Sequence, residues 1–527
     1  MTSKHKTNFR EYNQGQGMLF PPHLEELIPE NHLVRSVNEV VDHLNPERLY
    51  DRFKDEGNPA YHPKMMLKVL IYAYCIKIFT SRKIARALRQ DVTFMWLSGM
   101  QIPDFNTVNR FRSDYLKDVL EDVFTEVLLF LYEHGYVRFE DHYVDGSKIE
   151  ANANKYSYVW KKNVERYKSA VKKRVKGLLQ EIKELNEQED LEYGEKDLEE
   201  LGHGSQITSE HVREVAERIN KSLGKKGNNE LKKKKTRKIK SCLNKLKKET
   251  EKLAGYEEQE AILGKRYSYS KSDHDATFIR TKDDQLKPGY NIQISTENQF
   301  LTNYSISQNA ADSASFCDHL KKIKKRGKMF IPATYTGDSG YGCEENYKDL
   351  EELGIESYLM YNNFHYEETS AYKDNIFHRD NMIYDSENDC FICPSGKKLK
   401  YREEKEVKTG TGYLTQIKQY ECENCDGCPL RSECTRSTTN RTISVNRKLE
   451  AYKEQMRENL NSEKGIYLRK RRGMEVETFF GDLKHNQEFR RFLLRGLTKV
   501  NIELGWLSIS YNLRKLHRMS EINRMVA

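Results

Sequence analysis

No apolar segment in this chain is long enough to cross a bilayer. The longest apolar runs, VLIYAYCIKIF (Val69–Phe79) and VLLFLY (Val127–Tyr132), are short and polar at their ends. The stretch MTSKHKTNFREYNQ has no apolar core of the kind a secretory leader carries. A large charge of one sign is also missing: 89 Lys+Arg against 80 Asp+Glu leave +9 over 527 residues. That average names no polyanionic partner unless the charge is clustered. Ten cysteines are too few for a disulfide scaffold in a chain of this length. These absences point away from membrane and secreted classes and toward a cytoplasmic setting. What is present is aromatic: 32 Tyr and 21 Phe suffice for packed cores. The length suggests about three or four domains.

The first 137 residues read as helical. Pro63 suits a first helical turn, where its missing N–H costs nothing, and MMLKVLIYAYCIKIF after it is apolar almost all round, hence buried. Thr80-Ser81 can cap SRKIARALRQ, which sets Ile84, Ala87 and Leu88 against Arg82, Lys83, Arg86 and Arg89. A single long helix is expected from Pro103-Asp104 to Gly135. Short helices with a basic face suit a helix-turn-helix bundle, and a solvated helix surface reads the same way. From Tyr143 onward, minus an insert, the pattern is β, β-β, α, β, α, β, a mixed α/β sheet; YNIQIS and FLTNYSIS form its hairpin around Thr296-Glu297-Asn298. The insert is a charged helical hairpin, with Leu178, Ile182, Leu185, Ile239, Leu243, Leu246 and Leu253 at helical spacing. Its charge is in blocks: Glu181–Glu200 is acidic, and Leu231–Lys240 is densely basic.

Three acids stand out. Asp145 (Val-Asp-Gly) ends an apolar strand, Asp338 follows another in Gly-Asp-Ser-Gly-Tyr, and Glu477 lies in the helical MEVETFFGDLKHN. Acids at the C-terminal ends of sheet strands sit where ligand sites collect. Singly, each has a bland reading as a turn, a loop or a solvated helix residue. Glu477, Gly481, Lys484 and Glu488 recur at i, i+4, i+7 and i+11, so they are expected on one helix face, with Val476, Phe479, Phe480 and Leu483 buried. A glycine on that face suggests a close approach. Arg469, Arg471, Arg472, Arg490, Arg491 and Arg495 add cations suited to phosphate nearby.

YVDGSKIEANANK, DHDATFIRTKDDQLKPGYNIQ, TGDSGYG and RRGMEVETFFGDLKHNQEFRRFLLRG, in this order, resemble the DDE transposases of bacterial insertion sequences. The segments HPKMMLKVLIYAY, SRKIARAL and WLSGMQIPDFNTVNRFR resemble the InsH-type N-terminal domain of that family. The resemblance implies a ribonuclease-H-like α/β domain interrupted by an insertion. It assigns residues 1–137 to a DNA-binding domain carrying Arg82, Arg86 and Arg89. Residues 138–157, 268–376 and 448–527 form the catalytic domain, 158–267 the charged helical insertion and 377–447 a cysteine-rich module. It further implies that Asp145, Asp338 and Glu477 are a catalytic triad holding two Mg²⁺ or Mn²⁺, with Lys484 on phosphate. The family often places Tyr and Arg seven and four residues before the Glu; here Lys470 and Gly473 stand there. Arg472 can replace the arginine, and Glu475 is a rival to Glu477, disfavoured because it lies on another face from Lys484. The implied partners are double-stranded DNA, as element ends and as target, and a second copy of the chain, with the charged hairpin as a possible dimer arm.

The physical logic is that clustered carboxylates repel and take up protons unless hard cations relieve them. Two such cations clamp the attacking and leaving oxygens of a phosphodiester displacement. Six of the ten cysteines crowd into Cys390-x2-Cys393 and Cys422-x2-Cys425-x2-Cys428-x5-Cys434. Paired CxxC knuckles suit tetrahedral Zn²⁺; six thiols exceed one such site, and an iron–sulfur cluster is the alternative. Asp273 and Asp275 are either a second metal set or caps. Tyr290, Asn291 and Gln293 are expected to serve the sheet, and Trp506 and Tyr511 the core.

Overall fold

In the computed structural model, residues 23–53, 59–193, 207–223, 230–281 and 284–526 are described, except for the side chains of 186–193, 222–223, 230–235 and 523–526. The N-terminal stretch and most of the two charged blocks thus lie outside the described side chains. The chain divides into two compact units, Met1–Val137 with Leu504–Ala527, and Arg138–Glu503. Among the described residues no helix is long and apolar enough to cross a membrane.

The first unit is helical. Pro63 opens helix Pro63–Cys75, which is buried on nearly every side. Thr80 accepts from the Lys83 N–H and caps Ser81–Gln90, whose Ile84, Ala87 and Leu88 are buried while Arg82, Arg86 and Arg89 are exposed. The long helix expected from Pro103-Asp104 is broken. Phe105–Arg110 runs into a π-helical turn, Phe111–Tyr115, before Leu120–Glu133 begins. At that turn Arg112 points inward, 4% exposed, and donates to the Phe79 carbonyl at 2.8 Å; wide turns of this type re-aim a side chain. The chain from Leu504 also belongs to this unit and not, as expected, to the sheet domain. Its fully buried Trp506 stacks on Tyr74 at 5.9 Å, and Cys75 donates to the Ser510 carbonyl.

The second unit is built on a mixed sheet. In chain order its strands are β1 (Asp141–Glu150), β2 (Tyr158–Trp160), β3 (Ser268–Ser270), β4 (Thr277–Arg280), β5 (Leu286–Glu297), β6 (Phe300–Ser307), β7 (Thr334–Gly342) and β8 (Glu356–Tyr361). The sheet order is β4-β5-β1-β7-β8, with β6 also on β5. β1, β5 and β6 are antiparallel, and β7 and β8 run parallel to β1. The β5–β6 hairpin turns at Asn298-Gln299, both at positive φ (51° and 64°), as a two-residue primed turn requires. β2 and β3 pair as a ribbon at the base of the insert.

The insert holds three helices where two were expected: Lys161–Tyr193, Ser209–Leu223 and Glu230–Leu263. Ile182, Ile239, Leu246 and Leu253 are buried in their common core, with Leu178, Leu185 and Leu243 packed against it. The added helix contributes Val212, Val215 and Ile219. A second sheet, β9 (Ile383–Asp385), β10 (Cys390–Ile392), β11 (Lys398–Lys408), β12 (Leu414–Cys422) and β13 (Thr442–Val445), holds Cys390 and Cys422, with Cys393, Cys425, Cys428 and Cys434 in the connections between its strands. Helices Arg447–Asn461 and Glu463–Gly481 then return to the first sheet.

Candidate active site

β1 and β7 pair only over Asp141–Tyr143 and Thr334–Thr336. Beyond that they part: β1 continues along β5, with Asp145 opposite Ile294. β7 leaves the β8 ladder after Gly337 and rejoins it at Gly342. Asp338 lies in that break, and Asp145 lies just past the last β1–β7 pair. Openings at the C-terminal ends of parallel strands are where α/β sheets place ligands.

Helix Glu463–Gly481 packs on β1, β5 and β7. Its Arg472 points into the opening, with Nη2 3.3 Å from Asp145 Oδ1 and 3.4 Å from Asp338 Oδ2. One cationic nitrogen thus stands between two carboxylates from distant parts of the chain. Burial pushes the Asp145 carboxyl up to about 6; Arg472 opposes the rise, while Asp338 and Asp312 add to it. Because this value is raised, the carboxyl favours the folded state only where it is protonated. Its contribution is full below the ordinary value of 3.8 and is lost as pH rises through about 6. Wild-type protein without added metal should therefore lose stability relative to Asp145→Asn as pH rises from about 4 to 7. Thermal midpoints of the two proteins across that range check this; parallel pH profiles would contradict it.

Lys484 lies farther along the same segment, donates to Ser147 two residues beyond Asp145, and sits over the Phe480 ring. Glu477, between Arg472 and Lys484 in sequence, is exposed and makes no hydrogen bond or ion pair with the described residues. Its rival Glu475 is 2% exposed. Glu475 pairs with Arg471 at 2.9 Å and accepts the Gln299 N–H. It ties the helix to the β5–β6 turn, a structural task.

Several expectations need correction. The face Glu477–Gly481–Lys484–Glu488 does not persist. The α-helix ends at Gly481, a π-helical turn spans Asp482–Asn486, and Glu488 takes a φ of 55°. No protein atom lies within 4 Å of a Cβ built on Gly481, so no protein neighbour requires the glycine. Three arginines expected on DNA have internal partners. Arg471 binds Glu475, Tyr467 and Asn298. Arg491 donates to the Ala151 and Ala153 carbonyls, and Arg495 to that of Asn152, which holds the chain leaving β1. Arg469 lies 5.1 Å from the Phe364 ring, and Arg490 is exposed. Asp273 and Asp275 act as caps, accepting the Gly496 and Leu497 N–H groups.

One acid escaped the sequence reading. Asp312 stands at the start of helix Ser313–Arg326 but makes no capping bond. Its Oδ1 accepts from Asn291 Nδ2 and Gln293 Nε2, both at 2.8 Å. The available signal was the pattern Asn291-Ile292-Gln293-Ile294: two buried amides on one strand face need polar partners.

In the cysteine module, Cys393, Cys422, Cys425, Cys428 and Cys434 line one small cavity together with Arg441. Arg441 donates its backbone N–H to Cys425 Sγ and its guanidinium to Cys434 Sγ. Burial, then the neighbouring Cys425 and Cys393, push the Cys422 thiol up to about 12. Cys390 is not part of this set. It is buried in β10 with Sγ 3.9 Å from Asp385 Oδ2, because residues three apart on an extended chain face opposite ways. Cys75, Cys242, Cys317 and Cys343 lie outside the module.

Thiols in this number suit a soft, tetrahedral ion, and the paired aspartates suit a hard divalent one. The cationic nitrogen of Arg472 marks where the hard ion's charge would be accommodated. Among the described residues, however, no group of three or more His, Cys, Asp or Glu is spaced to hold a metal as it stands.

Two family models match the chain: a transposase domain (DUF772) over residues 22–114, and a transposase DDE domain over residues 392–517. No curated protein and no solved structure gives a significant match. The DDE match takes in the cysteine module and the helix of Arg472 and Glu477, while Asp145 and Asp338 lie outside it. The two matches are consistent with a DDE transposase of the insertion-sequence type.

Proposed function

We propose that this transposase binds the ends of an insertion sequence, hydrolyses phosphodiester bonds there and joins the freed 3′-hydroxyl to target DNA. The observation that carries the proposal is the convergence of Asp145 and Asp338 on one cationic position. An antiparallel β1–β5–β6 meander extended by parallel β7 and β8 supports a ribonuclease-H-like reading of the sheet. In this proposal Asp145 and Asp338 are joined by Glu477 in holding Mg²⁺ or Mn²⁺. Two such ions, when bound, stabilise the attacking and leaving oxygens of an in-line displacement.

The protein's own residues do the rest. Arg472 moves off the aspartates when a metal replaces it, and its guanidinium is then free to hold a DNA phosphate, for which its planar fork is suited. Lys484, fixed on Ser147, neutralises a second phosphate and need not exchange a proton. Glu477 is exposed on the helix that carries Arg472, one turn before the segment of Lys484, and would complete the ligand set in the DNA complex. Arg82, Arg86 and Arg89 of the N-terminal unit, with Arg490, meet the duplex backbone. Pairing of two element ends implies a homodimer.

A strand-transfer assay with pre-cleaved ends tests the proposal. Insertion of the ends into target DNA is the expected result. Degradation without insertion would make the protein a nuclease, and a mobility shift without cutting would make it a non-catalytic DNA binder.

The cysteine cavity is proposed as a structural Zn²⁺ site on four of its five thiols, formed by a small closure around the ion. Metal analysis should then give about one Zn²⁺ per chain, lost in Cys425→Ser together with several degrees of thermal stability. Iron in place of zinc, with visible absorption, would overturn it.

A further inference from the structure

We infer that Asp312 is a positioning residue of the Asp145–Asp338 centre, an inference that rests on the metal-dependent reading above. Asp312 occupies a helix-start position yet leaves the helix uncapped, so its carboxylate is held elsewhere. It lies directly on the β1 backbone beside Asp145. A Cβ added to Gly146 would stand 2.5 Å from both Asp312 Oδ1 and Gln293 Nε2. Only glycine admits this approach. Asp312 also lies near the second aspartate: a Cβ on Gly340 would be 2.9 Å from Asp338 Oδ1 and 3.7 Å from Asp312 Oδ2.

The amides that hold Asp312 continue the link. Gln293 donates to Asp312 through Nε2 and accepts the Tyr341 hydroxyl on Oε1. Tyr341 is fully buried, three residues past Asp338. Asp312, Gln293 and Tyr341 therefore bind β5 to the break in β7 by a path that crosses β1 at Gly146. This chain of bonds runs beside Asp145 at Gly146 and ends three residues past Asp338.

A second observation is independent of the chain. Asn291 is 1% exposed and its Oδ1 has no hydrogen-bond partner, while Asp312 Oδ2 accepts no hydrogen bond from the described residues. Asn291 Oδ1 is thus a buried acceptor without a donor, which is rare, and it lies beside the half-buried Asp312. The imbalance favours a cation or a donor arriving from outside. Asp312 also places a third negative charge beside the two aspartates, which strengthens attraction for a divalent ion.

Mn²⁺ binding to the full-length protein, followed by electron paramagnetic resonance, tests this alongside thermal stability and binding to element ends. Asp312→Asn keeps the shape and an acceptor oxygen but removes the charge. It should raise the Mn²⁺ midpoint about tenfold or more, with stability and end binding close to wild type. An unchanged midpoint in both Asp312→Asn and Asp312→Ala, the second of which also removes the acceptor, with binding lost in Asp145→Asn, would overturn the role of Asp312 and leave the metal reading standing. Absence of saturable Mn²⁺ binding in the wild type would overturn that reading itself. If Asp312→Asn does not fold, Tyr341→Phe cuts the same chain at its other end without changing charge. A raised midpoint there supports the inference, and an unchanged one overturns it.

Discussion

Asp145→Asn should reduce cleavage at element ends by about three orders of magnitude or more and leave binding of those ends within about twofold. Charge stabilisation through a bound metal is worth several kcal/mol, and each 1.36 kcal/mol is about tenfold in rate. An amide cannot supply that anionic ligand. Asn has the same shape, and Asp145 is not among the residues proposed to meet the duplex backbone, so folding and end recognition should survive. The substitution also removes a carboxyl that burial makes costly to ionise. The variant should therefore be no less stable than wild type at neutral pH. Single-turnover cleavage of a labelled end, with a mobility-shift measurement on the same duplex, decides the matter. Near-normal cutting by the variant would remove Asp145 from the chemistry.

The second large effect separates two glutamates that are neighbours in sequence. Glu475→Ala should cost about 2–4 kcal/mol of stability, because it leaves Arg471 and the Gln299 N–H without their buried partner. The lower end applies if Arg471, a third exposed, rehydrates. Glu477→Ala should change stability by no more than about 0.5 kcal/mol, as expected for an exposed side chain without partners, and should abolish cleavage. Denaturant unfolding and cleavage assays on both variants give opposite patterns if Glu477 is the third acid. A stable Glu475→Ala protein that cannot cut would exchange their roles.

A 3.6-residue period predicts Glu477 and Lys484 on one helix face. That period holds through Gly481, and then a π-helical turn takes over. Lys484 still reaches β1, but Glu488 does not stay in line. The same limit broke the helix expected after Asp104, where Arg112 is turned inward to a buried carbonyl. In both places a tertiary contact outweighs a local repeat, since a helix ladder tolerates one added residue when a buried polar group is satisfied by it. The arginines show the limit in charge. A count of cations near Glu477 could not tell Arg472, which faces the acids, from Arg471, Arg491 and Arg495, which hold the protein's own carboxylate and carbonyl groups.

The sequence alone determined whatever depends on a few adjacent residues. Pro63 and Thr80 begin their helices, and Ile84, Ala87 and Leu88 choose the buried face. The leucine and isoleucine spacing of the insert selects its core, and alternation marks the β5–β6 hairpin. These follow from hydrogen-bond and side-chain geometry that repeats within a turn or a strand. Only the tertiary structure decided that Asp145, Asp338 and Asp312 meet, that Arg472 stands between the first two, and that Cys390 turns away from the other thiols. Those outcomes depend on strand order, on the point where β1 and β7 part, and on a break in one ladder. They join residues hundreds of positions apart, where local periodicity carries no information.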